Sequence, residues 1–145
     1  ADGWVVLPVE EYRAGALEGD DRRVLRVWLN AGVLFARTAD GREELTADGK
    51  ARLESAMSDF LKQPPDSPLV IEGYATGPTY DQRYIISRRR AALVRDYLVA
   101  RTHIDISRMG VMAMGSEASG SPSGTTWDGV AIAIFLRTAG DSPRP

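Results

Sequence analysis

Ile71-Glu72-Gly73-Tyr74-Ala75-Thr76, and beyond a Gly77-Pro78 loop Ser87-Arg88-Arg89-Arg90-Ala91, carry the reading of this chain. Leu69 to Tyr74 alternates, with Leu69, Ile71 and Gly73 opposite Val70, Glu72 and Tyr74, which is the period of a strand. Gly77-Pro78 ends it, and Asp81 is the candidate N-cap of a helix expected to run to about Ala100. Ala91, Val94 and Leu98, flanked by Leu93 and Tyr97, form the buried stripe of that helix, while Arg88, Arg95 and Arg101 lie off it. Arg101-Thr102-His103 follows without the glycine that eases a left-handed cap.

Upstream, Val24 to Leu29 reads as a half-buried strand, with Leu25, Val27 and Leu29 opposite Val24, Arg26 and Trp28. Val33-Leu34-Phe35 leads into a polar loop whose turn signal is Asp40-Gly41. Thr46 is placed to cap a second helix, because its hydroxyl can accept from a free first-turn amide. Leu53, Ala56, Met57, Phe60 and Leu61 recur at helical spacing, and Gln63-Pro64-Pro65 ends the run. Residues 1–23 are expected to be an N-terminal extension or linker remnant, in which Trp4 to Leu7 offers a short edge strand limited by Pro8.

Downstream, Met109 to Met114 is a third strand candidate, and Gly115 to Thr126 reads as a Gly/Ser/Pro loop. Val130 to Leu136 is apolar at every position, as in a strand buried on both faces. Residues 139–145 have the composition of a disordered tail. Strands interleaved with two helices predict an α/β two-layer sandwich: a βαβαβ-type mixed sheet with the two main helices packed on one face.

The 145 residues suffice for one domain with a sizeable core, and 43% hydrophobic and 26% charged residues are ordinary for a soluble protein. A formal net charge of −2 argues against nucleic acid as a partner. Arg88-Arg89-Arg90 does not alter that, since a helix spreads successive residues by about 100°. No apolar run reaches the length of a membrane span, so no membrane insertion by this segment is expected. The chain opens on Ala1 with neither an initiator Met nor a leader, as expected of a mature or excised piece of a longer protein. Cysteine is absent; His103 is the sole histidine and has no Cys or His companion in the sequence. Met109, Met112 and Met114 read as core packing rather than a soft-metal site. No metal, cofactor or catalytic constellation is expected, and no phosphate-binding glycine loop is present.

The strand-end run and the helix start together resemble the signature of the OmpA-like family, which includes OmpA C-terminal and MotB-type peptidoglycan-binding domains. In that family a strand ends in a run like I-E-G-H-T-D and the next helix opens L-S-x-x-R-A. Leu45-Thr46-Ala47-Asp48-Gly49 is likewise similar to the family's L-T-x-x-G helix start. The resemblance spans Leu25 to Leu136 and implies a domain over 24–138. It implies a non-catalytic module of the Gram-negative envelope, periplasmic and part of a larger outer-membrane-associated protein.

The resemblance also implies a site. The family's Asp and Arg hold the ionic end group of diaminopimelate in the cell-wall peptide, Arg taking the carboxylate and Asp the ammonium. Arg90 falls on the Arg position, but the Asp position reads Thr76, which supplies no charge. Tyr74, Thr76 and Ser87 are expected to line the pocket, with Asp81 a candidate replacement carboxylate. Near the last strand the family often carries N-R-R-V-E-I, where this chain has Trp127-Asp128-Gly129-Val130-Ala131-Ile132. Both departures imply weakened or altered peptidoglycan binding. The alternative is a degenerate scaffold that docks other envelope proteins, with Trp28 and Trp127 as candidate contacts. A purely structural Arg90 would pair with a carboxylate such as Glu72 or Asp81. An Arg90 found salt-bridged and buried would exclude the reading in which it meets the ligand.

Overall fold

The computed structural model describes residues 4–8, 23–63 and 67–136. Along the chain run β1 (Trp4–Pro8), β2 (Arg23–Asn30), the single turn α1 (Ala31–Leu34), β3 (Phe35–Arg37), β4 (Glu43–Leu45) and α2 (Ala47–Phe60). There follow β5 (Leu69–Tyr74), α3 (Tyr80–Thr102), a 3-10 turn at Ile106–Arg108, β6 (Met109–Ala113), β7 (Glu117–Ser121), β8 (Gly124–Thr126) and β9 (Gly129–Leu136). Five strands form one sheet in the order β1-β2-β9-β5-β6. Only β5 and β6 are parallel, and α3 supplies the crossover that a parallel pair requires.

Both long helices lie on one face of this sheet. Val27, Leu29, Leu69, Ile71, Val130, Ile132 and Ile134 share a core with Leu53, Met57 and Phe60 of α2 and Ala91, Val94 and Leu98 of α3. The mixed two-layer architecture expected from the periodicity is therefore the one observed. Thr46 caps α2 as expected, its Oγ1 accepting from the Gly49 amide at 2.8 Å. Trp4–Pro8 takes the edge place beside β2, where a proline costs no ladder bond inside the sheet. Apart from that strand and Arg23, the expectations for 1–23 and 139–145 lie outside the described residues.

Other local expectations are corrected. β2 is not half-buried: Val24, Arg26 and Trp28 are as buried as Val27 and Leu29. Their face is covered, with Trp28, Tyr74, Trp127, Ala131 and Ala118 of β7 in a second cluster. Within that layer Arg26 donates to both oxygens of Glu72 at 2.8 and 3.1 Å, and the Tyr74 hydroxyl donates to Glu72 at 3.0 Å. Val33-Leu34 belongs to a helical turn, capped where Asn30 Oδ1 accepts from the Gly32 amide at 2.7 Å. Leu61 falls beyond the end of α2 and is exposed. Met112 is exposed too, so among the three methionines only Met109 belongs to the main core, while Met114 packs on the aromatic cluster.

The stretch 115–126 is not a plain loop but holds the β7–β8 hairpin. α3 begins one residue before Asp81, and its cap is Thr79, whose side chain accepts from the Gln82 amide at 3.1 Å. It ends at Thr102, where His103 itself adopts the left-handed conformation (φ 59°) in place of a glycine.

Candidate ligand-binding site

Gly73 determines where α3 can lie. A Cβ at this position would stand 1.7 Å from the Ser87 carbonyl oxygen, so only glycine lets the helix settle on β5. That contact fixes the helical face carrying Ser87, Arg90 and Ala91 against the end of the strand. Ser87 is fully buried; its hydroxyl donates to the Tyr84 carbonyl at 2.9 Å and accepts from the Gly115 amide at 3.2 Å. It ties α3 to the turn after β6 rather than facing solvent.

Arg90 reaches past the end of β5. Its Nη1 donates to the Tyr74 carbonyl at 2.8 Å and to Asp128 Oδ1 at 2.6 Å. Its Nε and Nη2 form a two-pronged pair with Glu43 of β4 at 2.9 and 2.8 Å. The guanidinium also lies 5.5 Å from the centre of the Phe35 ring. Burial by itself disfavours the cation, but the hydrogen bonds and charges of Glu43 and Asp128 outweigh it and raise the Arg90 pKa. The Arg90 side chain is 8% exposed, Glu43 17% and Asp128 48%. Arg90 is thus salt-bridged and buried, by Glu43 and Asp128 rather than by Glu72 or Asp81.

The expected site residues separate. Tyr74 brings its carbonyl to Arg90, but its side chain lies on the opposite face of the sheet, in hydrogen bond with Glu72 and tilted against Trp28 at 5.6 Å between centroids. Burial, then the charge and hydrogen bond of Glu72, push its phenol far above the ordinary tyrosine range. Thr76 is exposed and meets the site through its backbone, its amide donating to Asp128 Oδ1 at 3.3 Å. Asp81 does not join: nine residues along the helix from Arg90, it is about 13 Å away by helical rise and about half a turn round. Trp28 and Trp127 are buried and packed edge to face at 5.7 Å, so they are not surface contacts.

Two residues unforeseen in the sequence complete the site. Glu43 comes from the β3–β4 hairpin, and no local signal marked it. Asp128 had a signal: it occupies a departure already noted near the last strand, one position before Gly129. A cleft of about 810 Å³ lies between the hairpin and α3, lined by Glu43 itself with Arg37, Arg42, Ile86, Arg89 and Leu93. Among the described residues no cluster of His, Cys, Asp or Glu is suited to a metal, and no helix is long and apolar enough to cross a membrane.

A family model described as the OmpA family matches residues 39–129. No curated protein sequence matches the chain. Among solved structures, the periplasmic domain of Helicobacter pylori MotB is similar with a TM-score of 0.56 and 17% identity, over 83% of this chain and 86% of that one. A putative MotB-like protein from Desulfovibrio vulgaris gives a TM-score of 0.56 and 19% identity, covering 82% and 75% respectively. The cell wall anchor of the T6SS from Pseudomonas aeruginosa gives 0.54 and 19%, covering 80% and 82%. At these identities the likeness is one of fold.

Proposed function

This chain belongs to the OmpA family, and from that premise we propose that it is a non-catalytic periplasmic module whose clamp for the diaminopimelate of peptidoglycan is closed on itself, leaving weakened and altered binding. The observation that carries the reading is the double hold of Glu43 and Asp128 on Arg90. An arginine fork recognises a carboxylate through two parallel N–H bonds, and here Glu43 already occupies the Nε–Nη2 edge. Salt-bridged and buried, Arg90 does not meet the ligand in the unaltered chain, and a ligand carboxylate goes unread. The compartment and the wall-binding role are carried over from the family and from neighbours described as a periplasmic domain and a cell wall anchor. A larger envelope protein around the module fits the same reading.

Co-sedimentation with diaminopimelate-type sacculi tests it. The unaltered chain should pellet weakly and saturably, and Glu43→Ala, which releases two donors of Arg90, should tighten binding by about tenfold. Arg90→Lys, which keeps the charge but loses the fork, should not gain when combined with Glu43→Ala. The same closure of Arg90 favours a second reading, a docking scaffold for envelope proteins without cell-wall affinity. Absence of pelleting by both the unaltered chain and Glu43→Ala would establish that second reading instead.

A further inference from the structure

Resting on the clamp reading above, we infer that this site selects the side-chain ammonium of the cell-wall peptide through Asp128 and does not read the neighbouring carboxylate, so that diaminopimelate, its amidated form and lysine are accepted alike. The argument starts from which groups are already engaged. Arg90 gives Nε and Nη2 to Glu43, and both protons of Nη1 to Tyr74 and Asp128. Of the five N–H groups of a guanidinium this leaves one, too few for a two-pronged carboxylate contact.

Charge points the same way. Within the cluster one guanidinium is shared by two carboxylates, so Asp128 is not fully neutralised by Arg90, while Arg37, Arg42 and Arg89 lie on the cleft side with Glu43. The negative charge left over is on the exposed side, because Asp128 is 48% exposed while Arg90 and Glu43 are 8% and 17% exposed. Asp128 is also held in place, its Oδ1 accepting from Arg90 at 2.6 Å and from the Thr76 amide at 3.3 Å. Its Oδ2 has no hydrogen-bond partner among the described residues. A carboxylate so fixed, half open to solvent, is a ready counter-charge for an ammonium. The charge that Thr76 lacks is therefore supplied beside it from the turn preceding β9. The other nearby acid, Glu72, does not contribute; it is fully buried on the opposite face against Arg26 and Tyr74.

The test titrates the isotope-labelled full chain with three soluble muropeptides and follows the backbone amides around Thr76. One ends in diaminopimelate, one in diaminopimelate with its side-chain carboxylate amidated, and one in lysine. The expected Kd values agree within about threefold, and Asp128→Asn weakens all three by about tenfold or more. Asparagine can still accept from Arg90 and the Thr76 amide, and unchanged amide positions elsewhere verify that the variant is folded. A tenfold loss on amidation alone, or an Asp128→Asn variant that binds as well as the parent, overturns the inference and leaves the clamp reading standing. Silence towards all three peptides overturns both.

Discussion

At the scale of single residues, the ion pair on the far face of the sheet is more completely buried than the Arg90 cluster. Arg26 and Glu72 are 7% and 0% exposed at their side chains, and Tyr74 adds a third group to the network. Removing one partner from such a pair commonly costs about 3–5 kcal/mol, whereas replacing both by apolar residues of similar volume is often neutral or stabilising. Glu72→Gln should therefore lower stability in urea by about 3 kcal/mol, and Arg26→Met with Glu72→Leu should recover most of that loss. A second prediction concerns pH. Burial and Glu72 raise the Tyr74 pKa above its ordinary 10.0, so the folded chain keeps a proton that the unfolded chain releases. The stability contribution of this group is complete below pH 10 and declines as pH rises beyond it. In denaturation midpoints measured above pH 10, Tyr74→Phe should show the shallower decline. Neither the pair nor the phenol's environment was legible in the sequence, where Arg26 stood on one face of a strand read as half-buried and Glu72 was weighed only as a partner for Arg90. Arg90 was legible because the Ser87-to-Ala91 run fixes its position, although that run lies well inside α3 and not at the helix start where the resemblance put it. Its partners were not, since Glu43 and Asp128 lie 47 and 38 positions away in sequence and only the tertiary fold brings them near.

At the scale of elements, the junction of β5 and α3 is where sequence and geometry agree most closely. Gly73 stands in the run that opened the reading, and its role is a close approach of backbone to backbone. Gly73→Ala would place a methyl carbon 1.7 Å from the Ser87 carbonyl oxygen, which belongs to the helix backbone and has no rotamer by which to escape. Inserting bulk into a packed contact costs about 1–3 kcal/mol and occasionally more, and this one should fall at about 3 kcal/mol or above. The helix would have to rise off the strand, drawing Arg90 from the Tyr74 carbonyl. Circular dichroism in urea should show the lost stability, and sacculus binding should fall in the same variant even where it is still folded. Full stability in Gly73→Ala would refute this account of the junction. The ends of α3 were harder to read. Thr79 outcompeted Asp81 as cap because helix bounds shift by a residue or two, and His103 took a conformation that favours glycine. The β7–β8 hairpin escaped because its strands are short and rich in Gly, Ser and Thr, with Ala118 its one buried apolar contact.

At the scale of the whole molecule, the order β1-β2-β9-β5-β6 places the last described strand at the centre. β2 and β5 do not touch as neighbours; each pairs with β9, along eight and six residue positions respectively. The uninterrupted apolar run Val130 to Phe135 made burial on both faces legible, but not this central place, because hydrophobicity does not specify partners. The arrangement has a consequence for cooperativity. The N-terminal half, with β2, α1 and α2, and the middle, with β5, α3 and β6, share a sheet only through β9. Neither half can keep its sheet edge covered once β9 leaves, so the two should unfold as one unit. Ile132 sits at the middle of that strand, fully buried, paired with Val27 on one side and Ile71 on the other. Ile132→Ala should cost about 2–5 kcal/mol through lost burial and the cavity left behind. Tryptophan emission and far-ultraviolet dichroism should shift to lower urea together, with a single transition and an unchanged slope. Two separated transitions in the variant would mean that one half holds its structure without β9. The sheet order would then describe connectivity but not the cooperative unit.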